Sequence, residues 1–407
     1  MSSALSSPLT MLIYQHLHDD VQQLALQRNR FPQLSDTDFR FFLQQIEGRQ
    51  RTAHKLPTMA TFTDWWYPVR LSCEQCSSEA TASYKASLLR QALLNEERES
   101  DCTLFDLTAG YGVDTYFMSA HVQEAHYVEH NAELCAIAQH NFALHRPHIQ
   151  VHNTTAEDFL ASLPIPHPSE LPPPTSPYRI IFLDPARRSL SGSKVFRIED
   201  CEPNILELLP SLRAKSDRIM IKFSPMLDIT AALRVLGSDW DTHIVAVNNE
   251  VKEVLFVTGL GAIHAVHIGP THTDVMTFSE TEEKTAQIGI APTIKTYLYE
   301  PNAAIMKAGA YRLMSQRYAM DKLDINTHLY TSDTFLPDFP GRIWQVQEVL
   351  TKHSTLNAKL KYSIISRNHP LSPDQLRKKL KLQDGDDQYI IAARHQGKLV
   401  LILATRI

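Results

Sequence analysis

The stretch "LFDLTAGYGVDTYFMSA", residues 104–120, decides how this chain folds. A short apolar run, 103–107, carries Asp106 near its end and passes into Thr108-Ala109-Gly110-Tyr111-Gly112, a tight turn that opens a helix. Glycines in such a turn let the backbone approach a ligand, and the helix N-terminus offers free N–H groups. The turn has G-x-G but lacks the third glycine of the dinucleotide fingerprint, so its context has to carry the reading. The next apolar run, "AHYVEH" (125–130), ends in Glu129, 23 residues after Asp106. That is close to the spacing of about 20 expected for an acid that grips ribose hydroxyls. A third run leads into "HNTTAEDFL" (152–160), where an adenine-binding side chain is expected.

Working outward, seven strand-like runs are predicted at 103–107, 125–128, 149–151, 180–183, 219–223, 243–247 and 254–258, most of them separated by helical stretches. Such alternation predicts a mostly parallel, doubly wound α/β sheet. The last two runs are joined by "NNEVKE", too short for a helical crossover, and are expected as an antiparallel hairpin at the sheet edge. The Pro-rich segment 162–178 is expected to be a loop.

Before residue 99 the pattern is helical. "VQQLALQ", "FRFFLQQIEG" and "ASYKASLLRQALLNEE" repeat their apolar residues at helical spacing. Between them lies an irregular piece containing "DWWYP" and Cys73-x-x-Cys76, a pair read as structural because no second pair stands at zinc spacing. Ser77 or Ser78 is expected to cap the helix that follows. After residue 262 the character changes again. "KTYLYEPNAAIMKAGAYRLMSQRY" predicts a strand and a helix starting near Pro301. Later Ser372 caps a helix with Pro373 at its first position, and two strands joined by "HQGK" close the chain as a hairpin.

Composition (43% hydrophobic, 21% charged) is that of a globular protein. There is no signal-peptide pattern and no apolar run long enough to span a membrane, so a cytoplasmic location is expected. Net charge is −5, but residues 351–407 hold eleven Lys/Arg against four Asp/Glu, a local +7 that leaves −12 on the remainder. A basic module on an acidic body points to a polyanionic partner, with a merely solvated basic surface as the alternative. Arg377, Lys378, Lys379 and Lys381 are expected to face outward from the helix whose Leu376 and Leu380 face inward.

Asp106, Gly110 and Gly112, then Glu129, then Asp184-Pro185 of "RIIFLDPARRSL" (179–190) follow one another as in the class I S-adenosylmethionine (SAM)-dependent methyltransferases, which this chain resembles. It is more closely similar to bacterial methyltransferases with a ferredoxin-like piece and a C-terminal THUMP-like domain, through "LSCEQCSSEATASYKA", "DLTAGYGVDT", "FLDPARR", "KFSPMLD" and "YLYEPNAAIMKAGAY". The resemblance implies an N-terminal helical region (1–98), a Rossmann-like, seven-stranded methyltransferase domain (99–262), a ferredoxin-like segment (263–328) and a basic THUMP-like domain (329–407). It implies SAM as cofactor, held by Asp106, Thr108, Gly110, Gly112, Asp114 and Glu129. Thr155, Ala156 and Glu157 are the candidates for the adenine contact.

In such enzymes an Asp-Pro or Asn-Pro pair at the end of the fourth strand orients an exocyclic amine of a base toward the methyl group. Here Asp184 and Pro185 remain, while the second proline and the aromatic of that pattern are replaced by Ala186 and Arg187. Arg187 is read as stacking on a base, holding a phosphate together with Arg188, or pairing with Glu199 and Asp200. Phe196 or the "DWWYP" aromatics are the alternative stackers. No cysteine occupies 184–190, which argues against carbon-5 pyrimidine methylation, a reaction needing a thiol nucleophile. Lys222 is read either as a phosphate ligand or as an ordinary strand-end lysine. The expectation is a methyltransferase acting on a base nitrogen of tRNA or rRNA. Methylation of a protein or small molecule, or a non-catalytic RNA-binding protein, are the alternatives. No metal is expected.

Overall fold

The computed structural model describes residues 8–98, 101–165, 177–187, 198–351, 356–357, 360–386 and 388–407, without the side chain of Arg187. Arg188, Phe196 and most of the Pro-rich segment lie outside the described residues. The chain divides into two compact units, residues 1–240 with 253–260, and residues 241–252 with 261–407.

The first unit contains β1 (Cys102–Asp106), β2 (Glu124–Glu129), β3 (Ile149–Asn153), β4 (Tyr178–Leu183) and β5 (Arg218–Phe223). β1 pairs in parallel with β2 on one side and β4 on the other; β2 continues to β3 and β4 to β5. The chain therefore moves outward from β1 to β3, then returns across β1 to lay down β4. This reversal leaves a crevice at the carboxyl ends of β1 and β4, where ligands of open α/β sheets bind. Every residue of β1 is buried, as a strand covered on both faces must be. One face packs Phe105, Val128, Ile181, Leu183, Ile221, Phe223 and Phe256 into a common core.

The predicted helices are present as Val21–Leu26, Asp36–Thr52 and Glu79–Asn95. Ser78, rather than Ser77, caps the last of these, accepting from the Thr81 N–H. The piece read as irregular holds two short helices, Pro57–Ala60 and Arg70–Gln75, too short to show a period. Its tryptophans are structural. Trp65 is buried with its indole N–H on the Tyr111 hydroxyl (2.7 Å), and Trp66 stacks on His140.

Two further strands answer the sixth and seventh expected runs, β6 (Trp240–Val247) and β7 (Glu250–Thr258). β7 lies antiparallel to β5. β6, however, is no edge strand: in the second unit it pairs in parallel with Ile263–Ile268, which pairs with Thr273–Phe278. The sheet was expected to stop near residue 262, and these two strands extend it.

The second unit also holds an eight-stranded sheet spanning Tyr297–Pro301 to Lys398–Arg406. The single helix expected after Pro301 is two, Ala303–Ala308 and Tyr311–Arg317, because Gly309 takes φ +78° and ends the first. The boundary expected between 328 and 329 falls inside the strand Thr327–Ser332, of which Tyr330–Ser332 pair with Tyr297–Tyr299. The C-terminal hairpin, Gln388–His395 with Lys398–Arg406, is antiparallel as expected. The basic helix Pro373–Leu380 is closed by a capping box between Ser372 and Gln375.

Candidate active site

The carboxyl ends of β1, β2 and β4 open into one cavity of about 830 Å³, within the size range of ligand pockets. Asp106, Thr108, Gly110, Gly112, Asp114, Glu129, Thr155, Ala156, Asp184 and Pro185 all line it. Residues chosen from four separate stretches of sequence thus meet in one place.

The turn after β1 is built to be rigid. Gly110 (φ +54°) and Gly112 (φ +82°) are both left-handed, a region that disfavours side chains. The two serve different ends. A Cβ on Gly112 would come within 2.7 Å of the Phe142 ring, so close packing also demands glycine there, whereas Gly110 has open space beside it. The Tyr127 hydroxyl donates to the Gly110 carbonyl (2.5 Å), a brace with no signal in the sequence. Asp106 lies beneath the turn and is fully buried. One carboxyl oxygen accepts from the Thr115 hydroxyl (2.5 Å) and the other from the Thr108 N–H (3.4 Å). Burial pushes its carboxyl up to about 8.

Glu129 ends β2 with both oxygens directed at backbone. Oε2 accepts from the Gly110 N–H (3.0 Å) and Oε1 from the Asn131 N–H (2.8 Å). It therefore ties the glycine turn to the loop after β2 along the cavity wall. Thr155 caps the helix Ala156–Ser162, its hydroxyl accepting from the Asp158 N–H (3.1 Å), and Ala156 is buried behind it.

Asp184 is positioned from two sides. Its backbone N–H donates to the Thr108 hydroxyl (2.5 Å), linking the end of β4 to the glycine turn. Its Oδ2 lies 2.5 Å from the Lys222 ammonium, which is carried by β5. Lys222 is thus not a free phosphate ligand. It also donates to the Ser77 hydroxyl (3.1 Å) and stands 3.8 Å from Asp114. Burial works to lower the lysine's proton affinity, but Asp184 and Asp114 outweigh it and hold Lys222 well above an ordinary lysine.

Behind this pair sits a second one. Lys85 is completely buried, donates to both oxygens of Glu253 (2.6 and 2.8 Å) and is ion-paired with Oδ1 of Asp114 (3.2 Å). Asp114 also accepts from Ser77 (2.6 Å). Burial alone would raise the Asp114 carboxyl, yet the two ammonium groups hold it below the usual range. Asp114 lines the cavity, but its carboxylate is engaged by the protein. Ser77, Lys85 and Glu253 were missed from the sequence. Lys85 did leave a trace, since it falls on the same helical face as the buried Ala82, Ala86, Leu89 and Leu93.

Cys76 lines the cavity too, but burial raises its thiol, which donates to the Cys73 carbonyl (3.2 Å), so it does not offer a thiolate. No group of three or more metal-ligating side chains exists among the described residues.

The remaining predicted site residues lie in the second unit. Lys378, Lys379 and Lys381 are exposed, on and just after the helix Pro373–Leu380. Arg377 is partly buried and ion-paired with Asp374 (3.4 Å) and Asp384, which removes it from the outward basic set.

Family sequence models match a ferredoxin-like domain at residues 297–340 and a THUMP-like domain at residues 341–406. The fold matches a crystal structure described as a "putative methyltransferase from Porphyromonas gingivalis W83", at 28% identity, over 98% of this chain and 97% of that one, with a TM-score of 0.81. The chain joins a class I methyltransferase fold to ferredoxin-like and THUMP-like domains. Weaker matches include human methyltransferase-like protein 13 in complex with SAH (18% identity, 45% of this chain and 83% of that one, TM-score 0.33). An rRNA methylase from Streptococcus thermophilus matches at 13% identity, over 44% of this chain and 94% of that one, with a TM-score of 0.31. At such TM-scores neither bears on the reading of this protein. No curated protein matches the chain in sequence. No helix among the described residues is long and apolar enough to cross a membrane.

Proposed function

We propose that this protein is a cytoplasmic SAM-dependent methyltransferase that modifies a base nitrogen, an exocyclic amine, in tRNA or rRNA. The observation that carries the reading is the meeting of Asp184 with the Gly110–Gly112 turn and Glu129 around one cavity. The cavity's chemistry suits SAM, a ligand that is net cationic. Among the described residues, Glu129 and Glu157 line it without a lysine or arginine ion pair of the kind that holds Asp114 and Asp184, and Glu202 lines it too. Glu129 would take the ribose hydroxyls, the turn from Thr108 to Gly112 the methionine end, and the segment Thr155–Ala156 the adenine edge. When bound, SAM supplies an electrophilic methyl group. Asp184 accepts a hydrogen bond from the acceptor amine, aims its lone pair and holds it in place.

Glu129→Ala is expected to weaken SAM binding about 10- to 100-fold, the range for a hydrogen bond to a charged group. Isothermal calorimetry on the full chain measures it, and parental affinity would show that the ribose assignment is wrong.

RNA is favoured over a protein or small molecule by the THUMP-like domain and its exposed Lys378, Lys379 and Lys381. Phosphate contacts release counterions, so RNA affinity is expected to fall steeply with salt. Reversing Lys378 and Lys379 to Glu should weaken RNA binding and reduce the log–log salt slope by roughly one per lysine. SAM affinity should not change. A salt-independent affinity counts against the assignment.

Nucleoside mass spectrometry of RNA from a deletion strain and its parent tests the function itself. One methylated nucleoside should disappear from the deletion strain, and identical profiles would overturn the RNA reading.

A further inference from the structure

We infer that Lys222 is a positioning residue for methyl transfer, clamping one carboxylate oxygen of Asp184 to the protein so that the other is presented to the acceptor. The inference rests on the reading of Asp184 given above.

Asp184 is fixed at two points, its backbone by Thr108 and its Oδ2 by Lys222. An aspartate held at both ends has little rotational freedom left, so the direction of Oδ1 is set before any acceptor arrives. Oδ1 has no hydrogen-bond partner among the described residues. The Asp184 side chain is 35% exposed, whereas that of Lys222 is 12% exposed. The ammonium therefore stands behind the carboxylate, on the protein side. Lys222 is itself fixed, by Ser77 at 3.1 Å and by the charge of Asp114 at 3.8 Å.

The arrangement also sets the chemistry of Asp184. With Oδ2 taken up by the Lys222 ammonium, one carboxylate oxygen is left to accept from a substrate N–H. The charged groups around it are Lys222 on β5, Asp114 on the helix Val113–Met118 and Asp106 on β1, with Lys85 and Glu253 behind them. Such a carboxylate orients an N–H but is ill suited to strip a proton from an alkylammonium group. The class of acceptor that fits is an amine already neutral at pH 7, as an exocyclic base amine is, rather than a lysine side chain or a chain N-terminus.

The test uses the full chain and its Lys222→Met, Lys222→Arg and Ser77→Ala variants. Crystal structures of the full chain and each variant follow the Asp184 side chain. Tritium transfer from labelled SAM to bulk RNA of a deletion strain follows activity. In Lys222→Met the Asp184 carboxylate is expected to leave its parental rotamer or to spread over several. Turnover at pH 7 should fall about 100-fold with SAM affinity unchanged, the loss seen when one preorganised group is removed. Lys222→Arg should retain most of the parental rate. An Asp184 side chain in Lys222→Met held as in the parent overturns the inference, as does a parental rate in Lys222→Met. If Lys222→Met fails to fold, Ser77→Ala carries the test, because it removes one strut of the ammonium. An Asp184 side chain there held as in the parent then overturns the inference. If the parent labels no RNA, the proposed function falls, while the conformation of Asp184 still decides the role of Lys222.

Discussion

Asp184→Ala is expected to lower methyl transfer by about 10²–10³ while leaving SAM affinity near that of the parent, because a preorganised polar group at the reacting centre acts mainly in the transition state. The Asp184 side chain is only partly exposed, and its backbone is anchored to the glycine turn through Thr108. Truncation should therefore remove the acceptor without moving the strand end. Asp184→Asn keeps an acceptor oxygen of the same reach but gives up the ion pair with Lys222, so an intermediate loss is expected. Single-turnover rates with calorimetric SAM affinities separate the two effects. Parental turnover in Asp184→Ala would make the strand-end carboxylate structural, and the proposed mechanism would fall with it.

Lys85→Met is expected to destabilise the first unit by about 3–5 kcal/mol, the cost of breaking a buried ion pair by removing one partner. Lys85 has no exposure, and it is bonded to Glu253 and Asp114, both buried. Without it, Glu253 loses its cation and Asp114 keeps only Lys222, 3.8 Å away. For a unit of this size the loss corresponds to a fall of roughly 10 °C in melting temperature. Adding Glu253→Gln to Lys85→Met should recover part of it, since a charge no longer buried needs no partner. Scanning calorimetry on the single and double variants measures this. A Lys85→Met protein as stable as the parent would mean the buried pair contributes nothing net.

Asp184 and Lys85 differ in how far the sequence discloses them. Asp184 is legible because its signal is local: a hydrophobic strand that ends in Asp-Pro needs no partner to be noticed. The same holds for Gly110 and Gly112, where a turn demands left-handed backbone, and for Glu129, whose distance along the chain from Asp106 reflects one strand–helix–strand unit. The C-terminal basic module is legible for a similar reason, as a local change of charge. Lys222 was noticed but left with two readings, because a lysine at a strand end looks the same whether its ammonium meets solvent, a phosphate or a carboxylate. Arg377 looked like its lysine neighbours until Asp374 and Asp384 claimed its guanidinium.

The sequence by itself determined the alternation of strands and helices, the turn that opens the cavity, and the two acids that end β2 and β4. These follow from periodicity and from chemistry within a few residues. Only the tertiary structure decided what supports them. Lys85 meets Glu253 across 168 positions, and Lys222 meets Ser77 across 145. Whether a charged side chain is a solvated surface group or part of a buried network depends on which partners the fold brings within about 4 Å, where attraction can offset lost hydration. Spacing along the chain carries no record of that distance, so the fold alone made Lys222 the anchor of Asp184.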